Sequence, residues 1–171
     1  MKNENVLTDD EMKMVEQILS KLSPGYLPFN IFAAVSRLVV TATAEVIPFR
    51  KGNNGLEVLL IERPKSDPFW GGLYHFPGSV LRADDNDTLY ESSFKRIFEE
   101  ELHGVLVIGE PKYFKTQFQK LKRGATLTAI HIIEVAGNSP VGTFFNVEYL
   151  PQNIIEYHRE NIISAAKMFR Q

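Results

Sequence analysis

Phe76-Pro77-Gly78-Ser79-Val80-Leu81-Arg82, followed after a run of Asp and Asn by Arg96-Ile97-Phe98-Glu99-Glu100-Glu101-Leu102-His103-Gly104, decides the fold of this chain. It reads as a glycine loop feeding an acidic helix, an arrangement suited to holding a divalent metal against a phosphate. Thr88-Leu89-Tyr90-Glu91 has the form of a capping box, in which the Thr88 hydroxyl accepts from the amide of Glu91 while the Glu91 carboxylate reaches back. A helix is therefore predicted from Leu89. At about 100° per residue, Tyr90, Phe94, Ile97, Phe98 and Leu102 share one apolar arc roughly 120° wide. Glu101 falls inside that arc, Glu100 at its edge and Glu99 on the solvated side. A carboxylate there loses much of its water, and an unpaired buried ion costs several kcal/mol, so a positive group is expected to face it. The wheel leaves two readings open: Glu100 and Glu101 converge on one cation, or an ordinary acidic helix carries one misplaced glutamate.

Gly78 lets the chain turn tightly and bring its backbone close to a ligand, where a Cβ would clash. Together with Trp70-Gly71-Gly72-Leu73-Tyr74-His75-Phe76-Pro77-Gly78 and the flanking strand patterns, the segment resembles the Nudix hydrolase family. That signature runs Gly, five residues, Glu, seven residues, then Arg-Glu-apolar-x-Glu-Glu-x-Gly-apolar. Arg96 falls on the motif arginine, Phe98 on the apolar position, and Glu100 and Glu101 on the paired glutamates, which in the family bind metal. Gly78 falls on the first glycine of the usual Pro-Gly-Gly, and Ser79 replaces the second. Ile97 stands where the family has a glutamate that lies by the metals. The Gly-to-Arg spacing is longer than the motif's, so Asp84, Asp85 and Asp87 compete for the loop carboxylate. Asp85 is grouped with Arg96 and Gly78 as the structural part of the motif. His103 is inserted before Gly104, which predicts an altered helix exit.

The resemblance implies an α/β/α sandwich around a mixed β-sheet over roughly residues 38–169, preceded by an N-terminal helical extension at 1–37. It also implies hydrolysis of a nucleoside diphosphate linked to another moiety, with Mg²⁺ or Mn²⁺ held by Glu100, Glu101 and the Gly78 carbonyl. Hard oxygen donors suit those cations. Ile97 cannot act as a base, which leaves Glu148, in a late acidic loop, and the aspartates of the 84–87 loop as substitutes. Arg63, Lys65 and Trp70 are the candidate substrate contacts. The two cations offer phosphate partners, and the indole a stacking face, although a solvated strand end and local packing explain the same residues. The alternatives are a catalytically inactive Nudix-fold module that binds or senses a nucleotide, and a scaffold protein whose N-terminal helix mediates oligomerisation. A homodimer is the corresponding expectation for that helix.

Composition fits this picture. The chain has 171 residues, 44% of them hydrophobic, which is ordinary for one globular unit. A net charge of −2 provides no field for bulk nucleic-acid binding, and none is expected. No cysteine is present, which excludes disulfides, thiol catalysis and cysteine-bound metal centres. The apolar stretch from Ile31 to Ile47 is interrupted by Arg37 and Glu45 and is too short to span a bilayer, so a cytoplasmic protein with no membrane association is expected.

Helices are predicted over residues 8–22, with a Thr8/Glu11 capping box, and over 29–36. A hairpin is predicted from strands 38–49 and 57–63 around the turn Lys51-Gly52-Asn53-Asn54-Gly55. Further strands are expected at 73–76, 105–108, 112–118, 127–135 and 144–150, with a closing helix at 157–169. Lys120, Lys122 and Arg123 read as an exposed basic turn. His75 and His158 read as structural.

Overall fold

The computed structural model describes residues 7–85 and 90–170. Helix α1 (Asp9–Leu19) opens on the expected capping box: Thr8 Oγ1 accepts from the Glu11 amide at 3.3 Å, and Glu11 Oε2 accepts from the Thr8 amide at 2.8 Å. Every side chain of α1 is exposed, so the cap acts on a helix that packs on little else. Helix α2 (Phe29–Ser36) sits closer to the rest of the chain, its Phe29 ring 6.2 Å from that of Phe69.

The sheet is built from β1 (Thr41–Gly52), β2 (Gly55–Glu62), β3 (Tyr74–His75), β4 (Gly78–Val80), β5 (Leu106–Lys120), β6 (Ala125–Ala136) and β7 (Thr143–Asn146). Its order is β3-β2-β1-β6-β5, with β4 paired to β1 and β7 to β2. The β1 and β6 pair is parallel, from Thr41 opposite Thr126 to Phe49 opposite Glu134, and all other pairs are antiparallel. The sheet is therefore mixed. β1 is buried on both faces, as its run of β-branched and apolar residues demands.

Successive residues of β1 feed opposite layers. Ile47 and Phe49 join Phe76, Ile162 and Ala165 under the closing helix α4 (Glu156–Phe169), whereas Val46 joins Leu59, Ile97, Leu102 and Ile133 under the acidic helix. The result is an α/β/α sandwich. Each fully buried large aliphatic side chain contributes about 1.5–3 kcal/mol of transfer free energy.

The acidic helix α3 begins at Glu91, after Tyr90 in a left-handed conformation at φ 69°; the proposed Thr88 capping box and Asp87 lie outside the described residues. Its first turns (Glu91–Arg96) are α-helical, and Ile97–Glu101 continue it as a π turn closed by the Leu102 amide on the Ile97 carbonyl at 2.8 Å. A π turn absorbs one residue beyond the α-helical count. The extra residue between Arg96 and Gly104 is thus accommodated within the helix, and not only at its exit. Gly104, at φ 84°, then ends it.

The two strands expected at 105–108 and 112–118 are one strand, β5. Gly109 at φ 71° and the following Pro111 read as a break, but they form an irregularity between Ile108 and Lys112 across which pairing with β6 resumes. The last predicted strand is shorter than expected. After Asn146 the chain turns, with Asn146 Oδ1 accepting from the Glu148 amide at 2.8 Å.

Candidate functional site

Arg96 projects from α3 toward β4 and is saturated there. Its Nη2 donates to Asp85 Oδ2 at 2.9 Å, to the Val80 carbonyl at 2.9 Å and to Ser93 Oγ at 3.3 Å, while Nε donates to Ser79 Oγ at 3.1 Å. Nη1 completes the bidentate pair with Asp85. The Arg96 hydrogen bonds hold the Asp85 carboxyl below the usual carboxylate range. Among the competing loop aspartates, Asp85 is the one paired with the arginine. Ser79, in place of the second motif glycine, supplies one of its acceptors.

Gly78 lies between two glutamates. Its amide donates to Glu101 Oε2 at 3.0 Å, and it is paired with Glu45 across β4 and β1. A Cβ built on Gly78 would fall 2.6 Å from Glu45 Cγ, so only glycine leaves room for this side chain. Glu45 Oε2 is buried and has no hydrogen-bond partner among the described residues. Burial, and then the nearby Glu101 charge, pushes the Glu45 carboxyl up to about 8 against the pull of Arg123 and Arg63. Burial likewise raises Glu101 to about 7, opposed by the Gly78 amide and by Arg63.

Glu45 faces a cavity of about 80 Å³ whose lining includes Arg63, Trp70, His75, Arg123 and Tyr157. Arg63 is fixed by Asp67, with Nη2 to Oδ2 at 2.6 Å, and Asp67 Oδ1 also accepts from the amides of Phe69 and Trp70 at 2.8 and 3.0 Å. That small knot folds the loop after β2 and aims both candidate ligands, Arg63 and Trp70, at the cavity. Their guanidinium and indole lie 5.6 Å apart. Arg123 reaches the cavity from the turn between β5 and β6, 5.7 Å from the Trp70 ring and 4.9 Å from the Phe32 ring. Its Nε is buried without a partner, and burial lowers its pKa. Burial, then Glu45, keeps the Tyr157 phenol protonated. His75 is pushed down to about 4, first by burial and then by Arg63, and its Nδ1 donates to the Phe76 carbonyl at 2.8 Å. His158 is wholly buried beside Phe76.

Ile97 is 1% exposed and packed with Val46, Leu59 and Leu102, because the buried face of the helix passes through it, as the apolar arc predicts. Glu148 is not brought near Glu101. Val147 takes the inward position, and Glu148 is exposed with a 3.4 Å contact to Arg170. Lys65 is exposed and absent from the cavity wall, since the Asp67 knot orients Arg63 and leaves the next loop residues outward. Glu100 is exposed at the helix rim. Arg123 is not on an exposed tip. Gly124 abuts the Ser36 backbone so closely that a Cβ would collide with it, and this docking of the turn on α2 turns Arg123 inward.

The sequence reading missed Glu45 as a site residue, although a lone carboxylate inside a strand buried on both faces is a usable signal.

No family model matches the chain, and no curated protein matches it in sequence. Solved structures do match. The Nudix domain of Shewanella oneidensis NrtR, solved with ADP ribose, is 16% identical with a TM-score of 0.57, covering 95% of this chain and 99% of that one. The C. elegans Ap4A hydrolase is 13% identical at a TM-score of 0.56, over 78% of this chain and all of the other (100%). The C-terminal domain of mouse MUTYH, solved with human PCNA, is 15% identical at 0.57, over 77% and 90%. The mixed sheet between helical layers is therefore the Nudix fold, and the loop and helix that resemble its signature occupy one corner of the site.

Proposed function

We propose that this chain is a divalent-metal-dependent hydrolase of a nucleoside diphosphate linked to another moiety. The observation that carries this reading is Glu101, a desolvated carboxylate held at the Gly78 amide beside a cavity lined by two arginines and a tryptophan. A cation fits there: Glu45 Oε2 lacks a partner, and the available donors are hard oxygens. Among the described residues no group of three acidic or histidine side chains could hold an ion by itself, so the protein would supply one or two carboxylates and leave the other positions to water and phosphate, as Mg²⁺ permits. Glu101 would hold Mg²⁺ or Mn²⁺, with the Gly78 carbonyl as its expected companion. When bound, such an ion neutralises diphosphate charge and lowers the pKa of a coordinated water.

The chain's own residues supply the rest. Arg63, pre-oriented by Asp67, presents a guanidinium to phosphate oxygens, and Arg123 adds a second charge from the opposite strand turn. Trp70 offers a flat face to a base or sugar. Among the described residues no helix is long and apolar enough to cross a membrane.

A second reading, a nucleotide-binding module without turnover, is favoured by the burial of Ile97, which leaves no carboxylate at that motif position. Release of phosphate or nucleoside monophosphate from a panel of nucleotide sugars, dinucleoside polyphosphates, ADP-ribose and nucleoside triphosphates, with and without Mg²⁺ or Mn²⁺, separates the two. Metal-dependent product supports the hydrolase. Ligand-induced thermal stabilisation without product supports the binding module.

A further inference from the structure

The motif leaves one acidic position empty, and β1 carries a carboxylate, Glu45, opposite Gly78. Glu45 and Glu101 come from elements far apart in sequence, yet both reach Gly78, one through the close approach of its Cγ and the other through the Gly78 amide. Glu101 accepts from that amide. Glu45 Oε2, in contrast, is shielded from water and unpartnered, and neither Arg63 nor Arg123 comes within ion-pair distance of it. A buried acceptor left unmade costs about 1–3 kcal/mol, so its retention points to a group outside the protein chain that completes it. Glu100, the motif's other metal glutamate, is exposed at the helix rim, whereas Glu101 is turned onto the Gly78 amide.

We propose that the divalent cation of this site is taken by Glu45 and Glu101 as a carboxylate pair, with Glu45 of β1 as a second carboxylate from outside the motif. The proposal rests on the metal-dependent reading above but concerns only which residues bind. Two carboxylates converging on a glycine give two hard-oxygen donors on one side of the ion and leave its other positions to water or phosphate.

Calorimetric titration of the full chain with Mn²⁺, repeated by Mn²⁺ electron paramagnetic resonance, tests this without turnover. Glu45→Gln and Glu101→Gln should each weaken Mn²⁺ binding by about tenfold or more, whereas Glu100→Gln should change it by less than about threefold. Melting curves taken on the same samples establish that each variant is folded. If Glu45→Gln does not fold, Glu45→Asp keeps the charge but withdraws it by one methylene, and it should still weaken binding. Wild-type affinity in a folded Glu45 variant, with loss in Glu101→Gln and Glu100→Gln, overturns the β1 assignment and leaves the hydrolase reading standing. No Mn²⁺ binding by the wild-type chain overturns both.

Discussion

Two clusters next to β4 use the same residue types and treat them in opposite ways. At Arg96, guanidinium and carboxylate meet directly, and the remaining donors are met by Ser79, Val80 and Ser93. Around Glu45 the acid and Arg123 are also desolvated, but Glu45 Oε2 and Arg123 Nε have no partners among the described residues. A satisfied cluster contributes stability and geometry. An unsatisfied one costs stability, and such groups persist where something outside the chain completes them. The first cluster therefore reads as the brace for the loop, and the second as the place where chemistry or binding occurs.

The sharpest way to break that division is to move a carboxylate into the brace side of the helix. Ile97→Glu restores the family residue, but at a position 1% exposed and packed among Val46, Leu59, Leu102 and Ile133. The expected result is a loss of several kcal/mol in urea denaturation, on the order of 3–5, with no gain in metal-dependent turnover. A stable Ile97→Glu chain with raised activity would show that position 97 can address the cavity and would dissolve the distinction between the clusters.

The next effect is at Arg96. Its ion pair with Asp85 is largely shielded, with side-chain exposures of 15% and 13%. Arg96→Ala leaves Asp85, Ser79 and Val80 without their donor and should cost about 2–3 kcal/mol by denaturant titration. The same pair sets an acid limit. Because Asp85 has a folded pKa below its unfolded value near 4, its contribution is complete above about pH 4 and is lost as pH falls through the folded value. Asp85→Asn should flatten that acid limb of the stability profile. An unchanged limb would place the acid sensitivity elsewhere, with Asp67, whose folded pKa is also lowered, the first candidate; the depressed pKa of His75 acts in a separate window, between about pH 6.5 and 4.

How much of this was legible depends on whether the partners are local. The apolar arc of Ile97 and Leu102, with Glu101 set into it, follows from helical periodicity within a few residues, and both aliphatic side chains are buried as that arc requires. The β-branched runs of β1, β2 and β6 likewise announce strands. The Asp85 partner of Arg96 was one of three candidates, because an acidic loop allows several pairings and only folding selects one. Glu45 was only half legible: a lone carboxylate in a buried strand marks it as unusual, but its meaning comes from Gly78 and Glu101, contributed by a later strand and helix. The π turn was equally hidden: it preserves the burial of Leu102 despite an added residue, and no local propensity encodes it. Arg123 was misread because a basic turn ordinarily points to water, and here Gly124 lets the turn dock against α2.

Gly78→Ala tests the shared wall of the second cluster. Its added methyl would meet Glu45 Cγ at 2.6 Å, with the Ala44 carbonyl at 3.4 Å. Glu45 must swing aside, at a cost of about 1–3 kcal/mol typical of overpacking. Mn²⁺ affinity should fall while the Arg96 pair stays formed, so the acid limb assigned to Asp85 should persist. Loss of both together would mean that the two clusters are one mechanical unit.

The smallest expected effect falls on Glu148, the late carboxylate that the sequence offered as a substitute base. It is exposed, its amide is held by Asn146 in the turn, and its only ion-pair contact among the described residues is Arg170 at 3.4 Å, with side-chain exposures of 65% and 52%. Screened pairs of this kind contribute about 0–1 kcal/mol, and a 3.4 Å contact between two mobile side chains belongs at the low end of that range. Glu148→Gln should therefore shift stability by less than about 0.5 kcal/mol and leave Mn²⁺ affinity and any metal-dependent turnover at wild-type values. A large loss of turnover with unchanged melting would require the turn after β7 to swing inward when substrate is bound, delivering Glu148 to the Gly78 loop. In that case a polar cluster left incomplete in the free chain would be completed by a residue now in solvent, and Glu45 would no longer be needed as the second carboxylate.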